Sequence, residues 1–317
     1  MPRVALLDDY QDVALRMADW KSVPSGTEVV AFRDHVSDAD ALVKRLADFD
    51  AVVAMRERTP FPRALLARLP RLKLLVTTGM RNASIDVAAA TAQGITVCGT
   101  AGLPYPTAEL TWGLILGLFR RIPAEDRATR QGSWQTTLGL GLNGKTLGVL
   151  GLGGLGSRVA KVGKAFEMDV IAWSQNLTAA RAAECGATLV SKHELLTRSD
   201  IVTVHLVLGD RTRGLIGARE LAQMKPTAVL VNTSRGPIVD EAALIAALRA
   251  GKLAGAGLDV YDDEPLAPDH PLRTLPNTVI TPHLGYVTEE TYRIFYGQAL
   301  EDVEAWLRGA PVRVLKP

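Results

Sequence analysis

Cysteine is scarce in this chain. Cys98 and Cys185 are the only two in 317 residues, too few for a disulfide framework or for a metal cluster built on thiolates. We therefore expect a protein of a reducing compartment, the cytoplasm, and we predict no metal site.

Long apolar runs and blocks of one charge are also missing. The longest apolar stretches, such as LILGLF at 114–119, are far shorter than the roughly 20 residues that a membrane-spanning helix needs. The 36 basic and 34 acidic residues are mixed along the chain and give a net charge of +2. Neither a nucleic-acid backbone nor a membrane surface is therefore predicted as a partner. With 47% hydrophobic residues, the composition indicates a soluble globular protein.

What the chain does have is a long alternation of strand-like and helix-like segments. The first hundred residues alternate aliphatic runs such as VALLDD, TEVVAF and AVVAM with amphipathic stretches, which predicts a parallel βαβ sheet. A second series starts at KTLGVLGLG and continues through MDVIAWS, DIVTVHL, AVLVNTS, GAGLDVY and NTVITPHLG. Between the two series the pattern predicts a helix over 106–118, with Thr107 as its N-cap.

The predicted fold class is α/β, with two doubly wound parallel-sheet domains of the Rossmann-like type. The smaller domain is flavodoxin-like and comprises residues 1–100 together with the C-terminal segment 288–317. The larger domain comprises residues 101–287. A chain of 317 residues is long for a single hydrophobic core and suits two domains of ordinary size.

A glycine-rich turn opens the second series. The segment GLGGLG directly follows a predicted strand and precedes a helix-like segment. In this arrangement the first glycine permits a tight turn, the second lets the backbone approach a pyrophosphate, and the third lets helix and strand pack closely. A glycine-rich turn without a ligand is the alternative. The candidate cofactor contacts are Gly151, Gly153, Gly154, Leu155 and Gly156.

The next strand bears on the choice of cofactor. A site that selects NAD usually has a carboxylate about 20 residues after the glycines, which accepts a hydrogen bond from the ribose 2′-hydroxyl. Here the strand ends in Ser174, Gln175 and Asn176, and Asp169 stands at its beginning. These neutral side chains do not repel a 2′-phosphate. We therefore expect NADP to be accepted and preferred, with NAD as the alternative.

Three later segments place a charged residue or a histidine just past an apolar strand, where an open α/β sheet binds its ligand. They are VNTSRGP with Arg235, GLDVYDDEPL with Glu264, and TPHLGY with His283. Together with the glycine loop, they resemble the D-isomer-specific 2-hydroxyacid dehydrogenase family over nearly the whole chain. The resemblance implies a nicotinamide-dependent enzyme that interconverts a small 2-oxo acid and its D-2-hydroxy acid.

The resemblance also implies a role for each of the three residues. Arg235 would bind the substrate carboxylate and polarise the neighbouring carbonyl. His283 would act as the general acid and base. Glu264 would hold the imidazole in one orientation and favour its protonated form by charge attraction. Taken singly, each residue also has a structural explanation, as a loop brace, a surface carboxylate or a core histidine.

Further contacts follow from the same resemblance. It implies that the first domain binds the substrate and the second the dinucleotide, and that two copies of the chain form a homodimer. Substrate-carboxylate contacts are expected from the loop residues Thr78, Gly79 and Met80. Asp259 would meet the nicotinamide carboxamide. The remaining candidate cofactor contacts are Thr233, His205 and Thr212, although His205 is more readily explained as a structural residue.

Several functions share this architecture. Reduction of glyoxylate or hydroxypyruvate is favoured by the expected tolerance of NADP. A phosphite dehydrogenase or a phosphoglycerate dehydrogenase is an alternative, although basic residues for a phosphate are not obvious. The formate branch has glutamine where Glu264 stands, which argues against it. A nucleotide-sensing scaffold like the corepressor relatives of the family is an alternative from a different class.

Overall fold

The computed structural model describes all residues, Met1–Pro317, and the chain divides into two compact units. Unit 1 comprises Met1–Leu103 and Thr288–Pro317, and unit 2 comprises Pro104–Val287. Each unit is built on one parallel sheet, of five strands in unit 1 and seven in unit 2. The predicted α/β class with two parallel-sheet domains is therefore confirmed.

The sheet of unit 1 has the strand order 2-1-3-4-5, which is the flavodoxin-like order. Its strands are β1 Arg3–Leu6, β2 Glu28–Ala31, β3 Ala51–Ala54, β4 Leu74–Thr77 and β5 Thr96–Gly99. The four residues of β3 and the four of β4 are all buried, as expected for parallel strands covered on both faces.

Short helices follow the strands of unit 1. They are α1 Ala14–Met17, α2 Ala39–Leu46, α3 Arg63–Leu66 and α4 Val87–Ala92, with a 3-10 turn at Trp20–Ser22. Asp38 and Asp86 cap α2 and α4, each accepting a hydrogen bond from a backbone N–H three residues on. Such caps satisfy N–H groups that the first turn of a helix leaves without partners.

The sheet of unit 2 has the strand order 12-11-10-9-6-7-8. Its strands are β6 Thr146–Leu150, β7 Asp169–Trp173, β8 Thr188–Leu189, β9 Ile201–Val204, β10 Val229–Asn232, β11 Gly255–Leu258 and β12 Thr278–Ile280. The chain runs outward from β6 to β8, then returns to β9 beside β6 and runs outward the other way. This reversal creates the switch point at which doubly wound sheets bind ligands, outside the carboxyl ends of the strands.

Both faces of this sheet are covered by helices. Its helices are α5 Pro106–Phe119, α6 Ile122–Arg130, α7 Gly154–Ala165, α8 Ala179–Glu184, α9 Lys192–Arg198, α10 Ala218–Leu221 and α11 Glu241–Arg249, with 3-10 turns at Gly236–Ile238 and Pro271–Arg273. Alternate strand residues face the two layers: Ile201 packs with Trp112 and Val159, and Val202 packs in the opposite layer with Leu195 and Leu244.

Helix α5 starts at Pro106, as the sequence predicts, but the prediction of Thr107 as its N-cap is wrong. The N-cap is Tyr105, which makes no side-chain capping bond, and Pro106 occupies the first turn. Proline favours this position because its fixed φ suits a helix and its missing N–H needs no partner there. Thr107 thus lies inside the helix, and its hydroxyl donates to the carbonyl of Gly285, 2.9 Å away.

The chain then returns to unit 1 through α12 Glu289–Leu307, which is capped by Thr288. Beyond it, the C-terminal segment pairs with the edge of β5, where the N–H of Leu315 donates to the carbonyl of Val97. An ion pair between Arg313 and the fully buried Asp302 of α12 fixes this segment. None of the helices combines the length and the apolar character needed to cross a membrane.

Candidate active site

The glycine-rich loop joins the end of β6 to the start of α7. Gly151 has φ of +96°, and a Cβ atom there would lie 2.6 Å from the carbonyl oxygen of His205. A Cβ atom on Gly156 would lie 1.9 Å from the carbonyl oxygen of Gly151. Both positions therefore require glycine. Apart from the adjoining backbone, nothing lies within 4 Å of the Cβ positions of Gly153 and Gly154, so the backbone there is open to a ligand.

The N-terminus of α7 has the electrostatic character of an anion site. Leu155 is half-buried in its first turn, and that turn contains no acidic residue. Unpaired N–H groups and the helix dipole favour a negative charge at this point. Together with the open backbone of the loop, these features fit the pyrophosphate of a dinucleotide.

The end of β7 lies beside this loop, because the N–H of Gly151 donates to the carbonyl of Trp173 over 2.9 Å. Ser174 is half-buried, and Gln175 and Asn176 are exposed. Asp169 stands at the opposite end of β7, 3.6 Å from Arg198. The strand end nearest the glycine loop therefore has no carboxylate.

His205 follows β9 and is half-buried, with its ring Nδ1 shielded from water. Its Nε2 lies 2.9 Å from the hydroxyl of Thr203, and burial lowers the pKa of the imidazole to about 4. His205 is therefore neutral at neutral pH, which suits a structural residue better than an acid. Thr212 closes the following loop: its hydroxyl donates to the carbonyl of Val207 and accepts from the N–H of Gly209.

Arg235 is placed by the turn that follows β10. The buried side chain of Asn232 accepts from the N–H of Ser234 and donates to the carbonyl of Arg235. The next residue, Gly236, packs against the loop after β11, where a Cβ atom would lie 2.0 Å from the carbonyl oxygen of Tyr261. A larger residue at 236 would push the two loops apart. The turn therefore fixes the Arg235 backbone beside the loop that carries Glu264.

Glu264 and His283 form a direct pair. One carboxylate oxygen of Glu264 accepts from the N–H of Tyr261 at 3.0 Å, and the other lies 2.6 Å from His283 Nδ1. Because the carboxylate can only accept, Nδ1 carries a proton and donates it. The side chains of His283 and Glu264 remain 17% and 30% exposed. An imidazole held in this way can release or take up a proton at Nε2.

Asp259 anchors the loop that carries His283. Its carboxylate is fully buried at the end of β11. One oxygen accepts from the hydroxyl of Thr281 and the N–H of Leu284, and the other accepts from the N–H of Gly285. Burial raises the pKa of Asp259, and these donors oppose the shift. The sequence did not reveal that Asp259 fixes the backbone on both sides of His283.

Thr233 is also engaged within the protein. It is 5% exposed, and its hydroxyl oxygen lies 2.8 Å from that of Thr111 in α5. Sequence reasoning missed Thr111, and it named Thr107 only as a helix cap and not as a partner of Gly285. The only local signal was their spacing of four residues, which puts two hydroxyl groups on one face of a helix.

In unit 1, the loop after β4 is bound to the ends of both neighbouring strands, β3 and β5. The N–H of Thr78 donates to the carbonyl of Ala54, and the N–H of Gly79 donates to the hydroxyl of Thr100. Of the three predicted substrate contacts, only Met80 therefore keeps its N–H for another acceptor. Met80 is 47% exposed.

Sequence reasoning also missed Arg56, which follows β3 and contacts this loop. Its guanidinium donates to the carbonyl of Thr78 at 3.0 Å and lies 1.8 Å from where a Cβ atom of Gly79 would be. The signal was present, because Arg56 follows an apolar strand just as Arg235 does.

Comparisons with known proteins agree with these features. Residues 112–285 match the NAD-binding domain of the D-isomer specific 2-hydroxyacid dehydrogenases. A glyoxylate reductase of Aeropyrum pernix is 45% identical over 255 residues, which are 77% of this chain and 76% of that protein. A D-3-phosphoglycerate dehydrogenase of Archaeoglobus fulgidus is 40% identical over 278 residues, which are 86% of this chain but only 52% of that longer protein. The crystal structure of a phosphoglycerate oxidoreductase from Vibrio cholerae superimposes with a TM-score of 0.93 at 39% identity, covering 98% of this chain and all of that one.

Proposed function

The chain belongs to the D-isomer-specific 2-hydroxyacid dehydrogenase family, and from that premise we propose that it reduces glyoxylate or hydroxypyruvate, using NADPH in preference to NADH. The family activity is the transfer of a hydride between a nicotinamide cofactor and a small 2-oxo acid or D-2-hydroxy acid. The single observation that carries the proposed mechanism is the 2.6 Å pair of His283 and Glu264 at the end of β12.

In this mechanism the bound nicotinamide supplies the hydride. His283 gives its Nε2 proton to the carbonyl oxygen as that oxygen gains negative charge, and takes the proton back in the oxidation direction. Glu264 stabilises the charged imidazole and keeps it in one orientation. Arg235 pairs with the substrate carboxylate and favours the charge that develops on the neighbouring oxygen.

We propose the following cofactor contacts in unit 2. The glycine loop, with Leu155 at the start of α7, holds the pyrophosphate. Ser174, Gln175 and Asn176 accommodate the 2′-phosphate, and support comes from the lack of a carboxylate at that strand end. Thr233 and Asp259 lie on the nicotinamide side, and the loop of His205 and Thr212 borders the cofactor.

In unit 1, we assign the substrate carboxylate to the loop of Thr78, Gly79 and Met80. Glyoxylate and hydroxypyruvate are favoured because a glyoxylate reductase is 45% identical to this chain. Phosphohydroxypyruvate is a second candidate, because Arg56 puts a guanidinium against Gly79 and a guanidinium suits a phosphate. We further propose that the enzyme is a cytoplasmic homodimer.

The test is a substrate panel followed by absorbance of the reduced nicotinamide. Glyoxylate, hydroxypyruvate, phosphohydroxypyruvate, pyruvate and phenylpyruvate are each supplied with NADPH and with NADH. We expect the highest kcat/KM for glyoxylate or hydroxypyruvate with NADPH. A preference for phosphohydroxypyruvate would favour the second candidate, and a lack of turnover with every 2-oxo acid would favour a nucleotide-sensing scaffold.

A further inference from the structure

Three threonine hydroxyls connect helix α5 to the two loops that carry His283 and Arg235. Thr107 Oγ1 lies 2.9 Å from the carbonyl oxygen of Gly285. Thr111 Oγ1 lies 2.8 Å from the carbonyl oxygen of Thr107 and 2.8 Å from Thr233 Oγ1. Gly285 is two residues from His283, and Thr233 is two residues from Arg235. One rigid helix therefore contacts both loops.

The direction of each hydrogen bond follows from counting hydrogens. A carbonyl oxygen can only accept, so Thr107 donates to Gly285 and Thr111 donates to Thr107. Each hydroxyl has a single hydrogen, so Thr111 has none left for Thr233. Thr233 must therefore donate to Thr111. Towards a ligand, the Thr233 oxygen can then act only as an acceptor from an N–H or O–H group.

Gly285 is held from both sides. Its N–H donates to Asp259 Oδ2 at 2.8 Å, and its carbonyl accepts from Thr107. A Cβ atom on Gly285 would lie 3.0 Å from Thr107 Oγ1 and 3.2 Å from Asp259 Oδ2. A side chain at 285 would therefore crowd both contacts, and glycine lets the loop lie close to the helix and the strand.

We propose that Thr107 and Thr111 are positioning residues that set His283 relative to Arg235. The inference rests on the roles proposed above for those two side chains. Asp259 ties the His283 loop to β11 alone, whereas α5 ties the same loop to the end of β10. Thr111 is fully buried and Thr233 nearly so, and a hydrogen bond shielded from water restrains its partners firmly. The helix acts as a spacer between the proton donor and the carboxylate-binding arginine.

The decisive variants are Thr107→Val and Thr107→Ser. Valine keeps the shape but removes the hydroxyl, so the carbonyl of Gly285 loses its donor, whereas serine keeps the donor. We expect Thr107→Val to lower kcat on the order of 10-fold, since small misplacements of reacting groups are costly, with the Kd for NADPH unchanged. Thr107→Ser should restore kcat to within about 2-fold of wild type. A merely structural role would not separate kcat from NADPH binding or be rescued by serine.

Thr197→Val is the matched control. Like Thr107, Thr197 is a helical threonine whose hydroxyl donates to a backbone carbonyl, but its acceptor is His193, four residues earlier in α9 of the same unit, and it contacts neither loop. It should leave kcat unchanged. If Thr107→Val keeps wild-type kcat, or if Thr107→Ser is as impaired as Thr107→Val, α5 does not position the site.

A second readout does not depend on turnover. Hydrogen–deuterium exchange of the peptide spanning 281–287 should quicken in Thr107→Val and not in Thr107→Ser. Unchanged exchange would overturn the inference even if no substrate were found. A wild-type protein that turns over no 2-oxo acid would instead contradict the proposed function, while faster exchange in the valine variant would still support the contact.

Discussion

The carboxyl ends of the strands differ between the two halves of the unit 2 sheet. At β6 and β7 the main features of these ends are open backbone at Gly153 and Gly154 and exposed side chains such as Gln175. At β10, β11 and β12 they are a dense set of hydrogen bonds around the buried Asn232 and Asp259. After the roles proposed above, we call these the cofactor half and the catalytic half.

The difference fits the task proposed for each half. A pyrophosphate is bound by backbone N–H groups and a helix dipole, so the protein must mainly leave room. A proton donor must be placed to within a fraction of an ångström, so its loop must be held by several bonds at once. Changes in the catalytic half should therefore alter kcat, and changes in the cofactor half should alter nucleotide binding.

The largest expected effect is that of His283→Ala. Loss of the proton donor should lower kcat/KM by about 100-fold or more, while the Kd for NADPH, measured by fluorescence titration, stays within about 2-fold because backbone contacts in the other half dominate that affinity. His193→Ala is the control, since His193 is exposed on α9 and its side chain bonds to Gln223, away from both halves. An equal change in both quantities would show that the two halves are not separable.

The same division explains how much could be predicted from the sequence. The strands, the glycine loop and the neutral end of β7 each consist of consecutive residues. Each could therefore be predicted from a single segment of the sequence. The sequence also put Glu264 and His283 past neighbouring strands, and the structure shows them in contact.

The bonds that hold the catalytic half are not local. Thr107 meets Gly285 across 178 residues, and Thr111 meets Thr233 across 122. Pro106 was a local signal that the helix begins before Thr107, but nothing near Thr107 in the sequence shows that its hydroxyl meets the distant carbonyl of Gly285. Arg56 is a different case. Its position after β3 could be seen in the sequence, but its hydrogen bond to the carbonyl of Thr78 could not, because Thr78 follows the neighbouring strand β4.

An effect of intermediate size is expected from His205. Its titration tests whether the protein interior next to the cofactor half excludes water. Its pKa is lowered to about 4 by burial, against about 6.5 for an exposed histidine. Between these values the unfolded chain binds a proton that the native protein does not, so the free energy of unfolding falls as the pH falls. From pH 7 to pH 5 the loss due to this group is about 2 kcal/mol.

Urea unfolding of wild type and His205→Gln at both pH values measures this loss. Glutamine does not titrate, so the variant should lose about 2 kcal/mol less than wild type over the interval, whatever its stability at pH 7. Equal losses would mean that His205 is protonated in the native state at pH 5, and that this strand end is more accessible to water than the structure indicates.

The smallest effect is expected at the end of β7, where Ser174→Asp adds the carboxylate that the cofactor half lacks. The new charge should repel a 2′-phosphate and accept from a 2′-hydroxyl, so kcat/KM should fall about 10-fold with NADPH and hold or rise with NADH. Ser174→Asn provides the control, because asparagine is nearly the same size as aspartate but neutral. This variant should leave the preference for NADPH in place. The unequal response of the two cofactors is what ties the effect to the 2′ position. If aspartate lowered kcat/KM equally with both, the carboxylate would be disturbing the glycine loop, which bonds to the carbonyl of Trp173 next to it, and Ser174 would not face the ribose.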